Sequence, residues 1–470
     1  MKTLVAAIIL SFLGVTQTAV AMSDISLPLP ETEVLPNGLQ LVWFLNDRLP
    51  VVDISLLVKS GFRDDPLGKT GTSDLLNETL GRGSAGMTAQ QMAREIEKLG
   101  ASRYGSLDDD SFAVGMHGLA LDAPVLLGLL SKVALHPDFP VAEVAREQAR
   151  RLDRWNHLGD SGETLAAVAF NRILSAGTTY GRGSFVSAKE FKSITRDEVS
   201  AFHKRHFTPK NSLLMIVGRV DKVTFRQKII DEFGSWAGEE PNHDWKTFSD
   251  PRLPHKGGEI VLVDRPGLTQ ATVRIGFLAP SIHAPEHYSL SVANALLGEY
   301  FNSRLNSIIR DKLGLTYSIE SYFSYSKDMS TFDVSCATRN EAVGKLIDKT
   351  LEILRQLKET KTPADSAFQG EVQMAKDYLM GGFPLRTSTL GAVASRWLGG
   401  YLLNLGPNFL NEFVPKVRMV TPESVIEAVA KDMDLKNPVV VIAGDRKEIE
   451  KSFTPATLKK LKRVTIQDLM

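Results

Sequence analysis

A single cysteine in 470 residues, Cys336, excludes an internal disulfide, so the fold rests on packing that a chain of this length can supply. Neither sign of charge is in excess: 55 Lys+Arg balance 55 Asp+Glu. That removes the basic footprint of a nucleic-acid binder and the acidic tail of a solvating segment. Long apolar runs are missing too. Beyond the N-terminal segment none approaches the roughly 18 residues that cross a bilayer, so no membrane insertion is expected of the mature chain. With 43% hydrophobic and 23% charged residues the composition is that of a globular protein of two to four domains. Cys336 itself lies in the alternating stretch Thr331-Phe332-Asp333-Val334-Ser335-Cys336-Ala337. That pattern reads as a strand with a buried, structural thiol.

The N-terminus has what the rest lacks. Lys2 precedes an apolar run over 4–13, and Ala19-Val20-Ala21 places small residues where a signal peptidase reads. Residues 1–21 therefore read as a secretory signal peptide, too short to span, and the mature chain is expected in the periplasm or outside the cell.

The chain repeats itself once. Thr195-x-x-x-Val199, Asn211 and the run 213–218 recur as Thr421-x-x-x-Val425, Asn437 and 439–444, all offset by 226 residues. Each copy reads as a capped helix, a turn, and a wholly apolar strand ending in glycine. Strand patterns open both halves, at 39–46 and 51–60 and again at 259–264 and 269–277. Helical periodicities fill the middles, at 89–99, 141–155, 341–358 and 363–380. Strands first, helices between and a closing strand predict two homologous α+β domains, each a largely antiparallel sheet packed with helices. The domains are expected over 28–240 and 257–455, joined by a polar, proline-punctuated linker over 241–256.

Two histidine pairs, His203/His206 and His283/His287, have helical metal-binding spacing but no carboxylate between them, which favours packing or surface roles. Arg310 is expected to close a helix that Gly314 breaks, and Tyr317 to begin a strand over 315–325. A helix end and a strand start joined by a tight turn can aim a guanidinium fork and a phenol at one point, where they could stabilise an oxyanion. The bland reading is a surface ion pair for Arg310 and sheet packing for Tyr317.

The stretch Gly71-Thr72-Ser73-Asp74-Leu75-Leu76-Asn77-Glu78-Thr79-Leu80-Gly81-Arg82-Gly83 resembles the zinc-site helix of the pitrilysin/insulinase peptidases, whose signature is H-x-x-E-H. In that frame Asp74, Asn77 and Glu78 stand where the His, Glu and His would be. The distal glutamate of the family falls on or near Arg154, with Asp153 beside it. A guanidinium has no lone pair to offer a metal. The segment Phe301-Asn302-Ser303-Arg304-Leu305 through Arg310 and Gly314-Leu315 to Tyr317 resembles the family's second-domain motif, whose Arg and Tyr bind substrate backbone. Leu35-Pro36-Asn37-Gly38-Leu39, Gly61-Phe62-Arg63-Asp64-Asp65-Pro66 and Gly382-Phe383-Pro384-Leu385 with Thr387 and Thr389 resemble further family segments in the same order.

The resemblance implies half of a clamshell without its own metal. Arg310 and Tyr317 would serve catalysis in trans, and Zn²⁺ would sit on a partner chain with an intact H-x-x-E-H; this chain would hold none. The pair would cut peptides or unfolded proteins. Three alternatives stand beside this: an autonomous metallopeptidase using Asp74 and Glu78 as substitute ligands, an inactive peptide-binding or scaffold protein, and a homodimeric peptide chaperone.

Overall fold

The computed structural model describes residues 26–182, 188–243, 258–434 and 437–469. The expected signal peptide and positions 244–256 of the expected linker lie outside the described residues. Among those described, no helix is long and apolar enough to cross a membrane.

Among the described residues, twelve strands form two six-stranded sheets. In the first half these are β1 (Glu31–Val34), β2 (Gln40–Leu45), β3 (Val51–Val58), β4 (Ser102–Leu107), β5 (Phe112–Leu119) and β6 (Ser212–Gly218), in the order β1-β2-β6-β3-β5-β4. In the second they are β7 (Ile260–Asp264), β8 (Gln270–Leu278), β9 (Ile319–Tyr325), β10 (Ser330–Arg339), β11 (Val439–Gly444) and β12 (Leu461–Val464), in the order β9-β10-β8-β11-β7-β12. Five strands correspond one to one. The outer edge differs: β1 arrives from the N-terminal side and lies antiparallel on β2, whereas β12 arrives from the C-terminal side and lies parallel to β7. Most pairings are antiparallel; β2 with β6, and β7 with both β11 and β12, are parallel. The fold is thus α+β with two domains and antiparallel-dominated sheets.

The wholly apolar strands have a reason. Six helices matter below: α1 (Thr72–Thr79), α2 (Val141–Asn156), α3 (Gly162–Leu174), α4 (Arg196–His206), α5 (Leu390–Leu402) and α6 (Pro422–Asp432). On β6, Leu214 and Ile216 enter the first half's own core, while Leu213, Met215 and Val217 point the other way, into a core shared with Trp397 of α5. On β11, Val440 and Ile442 enter the second half's core, while Val439, Val441 and Ala443 pack against Leu165, Val168 and Phe170 of α3. Successive strand side chains alternate faces, so a strand buried on both reads as a continuous apolar run. Helices α3 and α5 fall on each other under the 226-residue offset to within two residues. Each half therefore lends its equivalent helix to cover the other half's sheet.

The motif segments serve this frame. Gly38 turns the chain at φ +92°, and Asn37 donates to the carbonyls of Phe233 (2.8 Å) and Trp236 (3.0 Å), tying the β1–β2 turn down. Thr387 bonds the Phe383 carbonyl at 2.8 Å as one helix ends, and the Thr389 hydroxyl accepts from Ala392 N at 3.1 Å as α5 begins. Thr195 and Thr421, the repeated threonines, each cap a helix, α4 and α6, with a reciprocal capping box.

The halves are also joined by a buried arginine. Arg63, its side chain wholly enclosed, donates to Asp110 (2.6 Å) and Tyr180 (2.7 Å) of the first half and to Asp328 (2.6 Å) of the second. A polar cavity of about 470 Å³ opens beside it, lined by Asp108 and Asp109 on one side and Arg274, Tyr322 and Asp333 on the other.

Cys336 sits on β10 and is buried. Burial, with Asp333 adding to it, pushes its thiol up to about 12. Only the thiolate is nucleophilic, so iodoacetamide at pH 8 is expected to leave the native protein unlabelled and to label it fully once unfolded, as read by mass spectrometry. Rapid native labelling would place the thiol at the surface.

Candidate functional site

Helix α1 starts where Gly71 adopts φ +93°. The buried Asp65 carboxylate accepts from Gly71 N (2.5 Å) and Ser73 N (2.7 Å), so it satisfies donors that the helix leaves open at its start. Burial pushes Asp65 up to about 7 although both bonds favour its charged form. This is the structural use of the Gly61–Pro66 loop: it delivers a capping carboxylate.

Asp74 and Glu78 lie four residues apart and share a helix face, as spacing requires. Helix α2 brings two arginines to that face. Arg151 Nε stands 2.5 Å from Asp74 Oδ2, and Arg154 donates to Glu78 Oε1 at 2.9 Å. Burial pushes Asp74 up to about 6; Arg151 opposes that shift and the Glu78 charge adds to it. Both carboxylates of this face are therefore ion-paired. Asp153 is exposed, and it is Arg154 that reaches Glu78. Asn77 is half-buried against β4, its Oδ1 within 3.5 Å of where a Cβ on Gly105 would stand. The buried carboxylate of α2, Glu147, is engaged by Arg82 (3.3 Å) and Arg150 (3.0 Å).

Zinc is ordinarily held by imidazole, thiolate and carboxylate groups. Here the face offers two carboxylates, each already neutralised by a guanidinium, and no imidazole. The residues present do not fit the ion. Arg151 escaped sequence reading; its signal was the three-residue spacing to Arg154, which puts both on one side of α2.

The histidine pairs do not converge on common ions. His203 Nε2 bonds the Ala134 carbonyl at 2.8 Å and its ring stacks on Phe207. His206 Nδ1 meets Ser60 Oγ at 2.9 Å. His287 packs edge-on against Tyr288 and Tyr325.

Arg310 and Tyr317 depart from expectation in two respects. The helix ending near Arg310 is π-helical over Asn306–Lys312, and Gly314 leaves it at φ +58°. Arg310 pairs with Asp311 (2.8 Å) and lies 3.6 Å above the Phe301 ring. The strand begins at Ile319 rather than 315, because Thr316 ties the intervening turn to the carbonyls of Ser318 (2.7 Å) and Ala337 (2.6 Å). Tyr317 consequently stands on the turn, 94% exposed, and does not pack in the sheet. No hydrogen bond joins it to Arg310.

Comparison with known proteins adds the following. Residues 42–181 match the family model "Insulinase (Peptidase family M16)", and residues 193–372 match "Peptidase M16 inactive domain". An uncharacterized zinc protease of Mycobacterium tuberculosis is 25% identical over 411 residues, covering 86% of this chain and 90% of its own. The zinc protease PqqE of Helicobacter pylori is 23% identical over 372 residues, covering 76% and 81%. Among solved structures, a peptidase M16 inactive domain from Pseudomonas fluorescens superposes with a TM-score of 0.78 at 22% identity, covering 88% of this chain and 98% of that one. A protease from Helicobacter pylori gives 0.78 at 19% identity, covering 89% and 100%.

Proposed function

This chain belongs to the insulinase (M16) peptidase family, and we propose that within it the protein is the non-catalytic, substrate-binding subunit of a heteromeric zinc metallopeptidase, acting in the periplasm on peptides or unfolded proteins. The observation that carries the reading is the double ion pair on α1. Asp74 with Arg151 and Glu78 with Arg154 fill the face on which relatives called zinc proteases would hold metal. Zinc and the general base would come from a partner chain of the same family. Export rests on the N-terminal run and its Ala19-Val20-Ala21 site.

What this chain would supply is electrostatic. The exposed Tyr317 phenol and, nearby in sequence, Arg310 would hold the substrate backbone and stabilise charge developing on its carbonyl oxygen. Such donors act in trans if the interface that positions them is rigid. The Arg310 guanidinium would exchange Asp311 and the Phe301 face for the substrate.

The isolated protein is expected to bind a fluorescent peptide without cleaving it. Adding the catalytic partner should create turnover, and Arg310→Ala or Tyr317→Phe should lower kcat by about 10²-fold, as loss of an oxyanion donor does. Full activity of either variant in the mixture would exclude the composite site. The existing Arg310–Asp311–Phe301 arrangement favours one second reading, a peptide-binding scaffold. That reading gains if peptide binds but no family partner confers cleavage.

A further inference from the structure

Away from the α1 face, three side chains from distant parts of the chain bring metal-ligating atoms within 4.8 Å of one another: Asp64, His206 and His243. Asp64 lies in the short 3-10 turn Phe62–Asp64 before α1, His206 is the last residue of α4, and His243 stands where the chain leaves the first half. We propose that this cluster is a binding site for a divalent transition ion of the Zn²⁺ class, and that the ion pins the start of the inter-half connection to the first domain.

The donor set is two imidazoles and one carboxylate, which suits borderline ions and not Ca²⁺ or Mg²⁺. The side chains of Asp64 and His243 are 3% and 11% exposed, so solvent does not compete strongly for them. His243 Nδ1 meets Asp64 Oδ1 at 2.7 Å. Ligand atoms around a tetrahedral zinc stand about 3.4 Å apart, so side-chain adjustments suffice to admit the ion.

The surroundings orient the ligands. Ser60 Oγ meets His206 Nδ1 at 2.9 Å and is itself fixed by Asn211 Nδ2 at 3.0 Å. Asn211 also donates to the His206 carbonyl at 2.9 Å. A metal-bound histidine ordinarily has its other ring nitrogen held in this manner, which leaves Nε2 for the ion. The Phe202 ring stacks on His206 from one side. Gly61 N donates to Asp64 Oδ2 at 3.0 Å, leaving Oδ1 directed at His243.

Among the described residues, the neighbouring cations are engaged by other groups. Lys69 bonds the Ser193 carbonyl and pairs with Glu198, Arg205 bonds the Asn242 carbonyl, and Arg63 is held by Asp110 and Asp328. A cavity of about 390 Å³ borders the cluster and supplies an entry path.

The test uses the full mature chain, freed of metal and titrated with Co²⁺. One equivalent with visible d–d absorption, displaced by Zn²⁺, is expected, and added Zn²⁺ should raise the melting temperature because it binds only the folded state. His243→Ala and Asp64→Asn should weaken binding by more than about 100-fold, beyond what loss of an outer partner costs. His283→Ala and Asp74→Asn should leave it unchanged, with circular dichroism confirming that all four fold. The inference is overturned if the wild-type chain takes up no Co²⁺, or if binding survives both cluster variants. It is equally overturned if Asp74→Asn abolishes binding, which would put the ion on α1 and also remove the ground for the proposed function.

Discussion

Replacing Asp74→His, Asn77→Glu, Glu78→His and Arg154→Glu together is expected to give a chain that holds one Zn²⁺ on α1, whereas the three helix changes alone should hold none there. Metal content and Co²⁺ absorption are the readout, taken in a His243→Ala background so that an ion at the Asp64 cluster is not counted. The reasoning is geometric. The four-residue spacing that turns two side chains to one face is intact. The 2.9 Å bond from Arg154 to Glu78 shows that position 154 reaches the second of them. A carboxylate placed there would enter the shell; the guanidinium present now would oppose the ion. With an effective dielectric near 20, one unit charge at 4 Å from another is worth about 4 kcal/mol, and a dication doubles that. Arg151, 2.5 Å from Asp74, would lose its carboxylate in either variant, so Arg151→Gln should tighten the four-residue version further. If the three helix changes bind zinc as well as the four, arginine is not what closes this face, and the substituted carboxylates alone define the loss.

How much of this was legible beforehand differs from element to element. The repeat was legible, because Thr195 and Thr421 are caps with their own local chemistry and the apolar runs after them need no partner to be recognised. The same runs hid the architecture. The unbroken apolar run 213–217 announces a strand buried on both faces, but a period of two carries no information on which helix covers the second face. That the cover comes from the opposite half, through Trp397 and Phe170, is a tertiary fact. The loss of metal ligands at Asp74 and Glu78 could be read from residue type. Their neutralisers could be read only in part, since Arg151 is one of several charged residues on an amphipathic helix and distance alone distinguishes it. Tyr317 falls within the strand expected over 315–325, but Thr316, by bonding two carbonyls, holds that stretch as a turn. The Asp64–His206–His243 cluster left no sequence signal, because its three members lie in three unrelated segments.

Trp397→Ala is expected to lower the stability of the whole chain by about 3–5 kcal/mol, the usual cost of emptying a large aromatic site in a core. The exchanged helices make this a test of architecture as well as of packing. Trp397 is 4% exposed, lies edge-on to Phe44 of the first sheet at 5.9 Å, and stacks on Tyr401, whose hydroxyl donates to Gln40 of β2. The residue belongs by sequence to the second half and by contact to both. Neither sheet can bury its outer face without the other half's helix, so the halves are expected to unfold in one cooperative transition. Denaturant unfolding followed by far-ultraviolet circular dichroism and by pulsed proteolysis should show fragments of both halves shifting together in Trp397→Ala. Phe170→Ala, on the reciprocal helix, should produce a joint shift of similar size from the other side. Two separate transitions, with Trp397→Ala moving only the one assigned to residues after 258, would mean that each half carries a self-sufficient core and that the exchange of α3 and α5 is a contact and not the basis of stability.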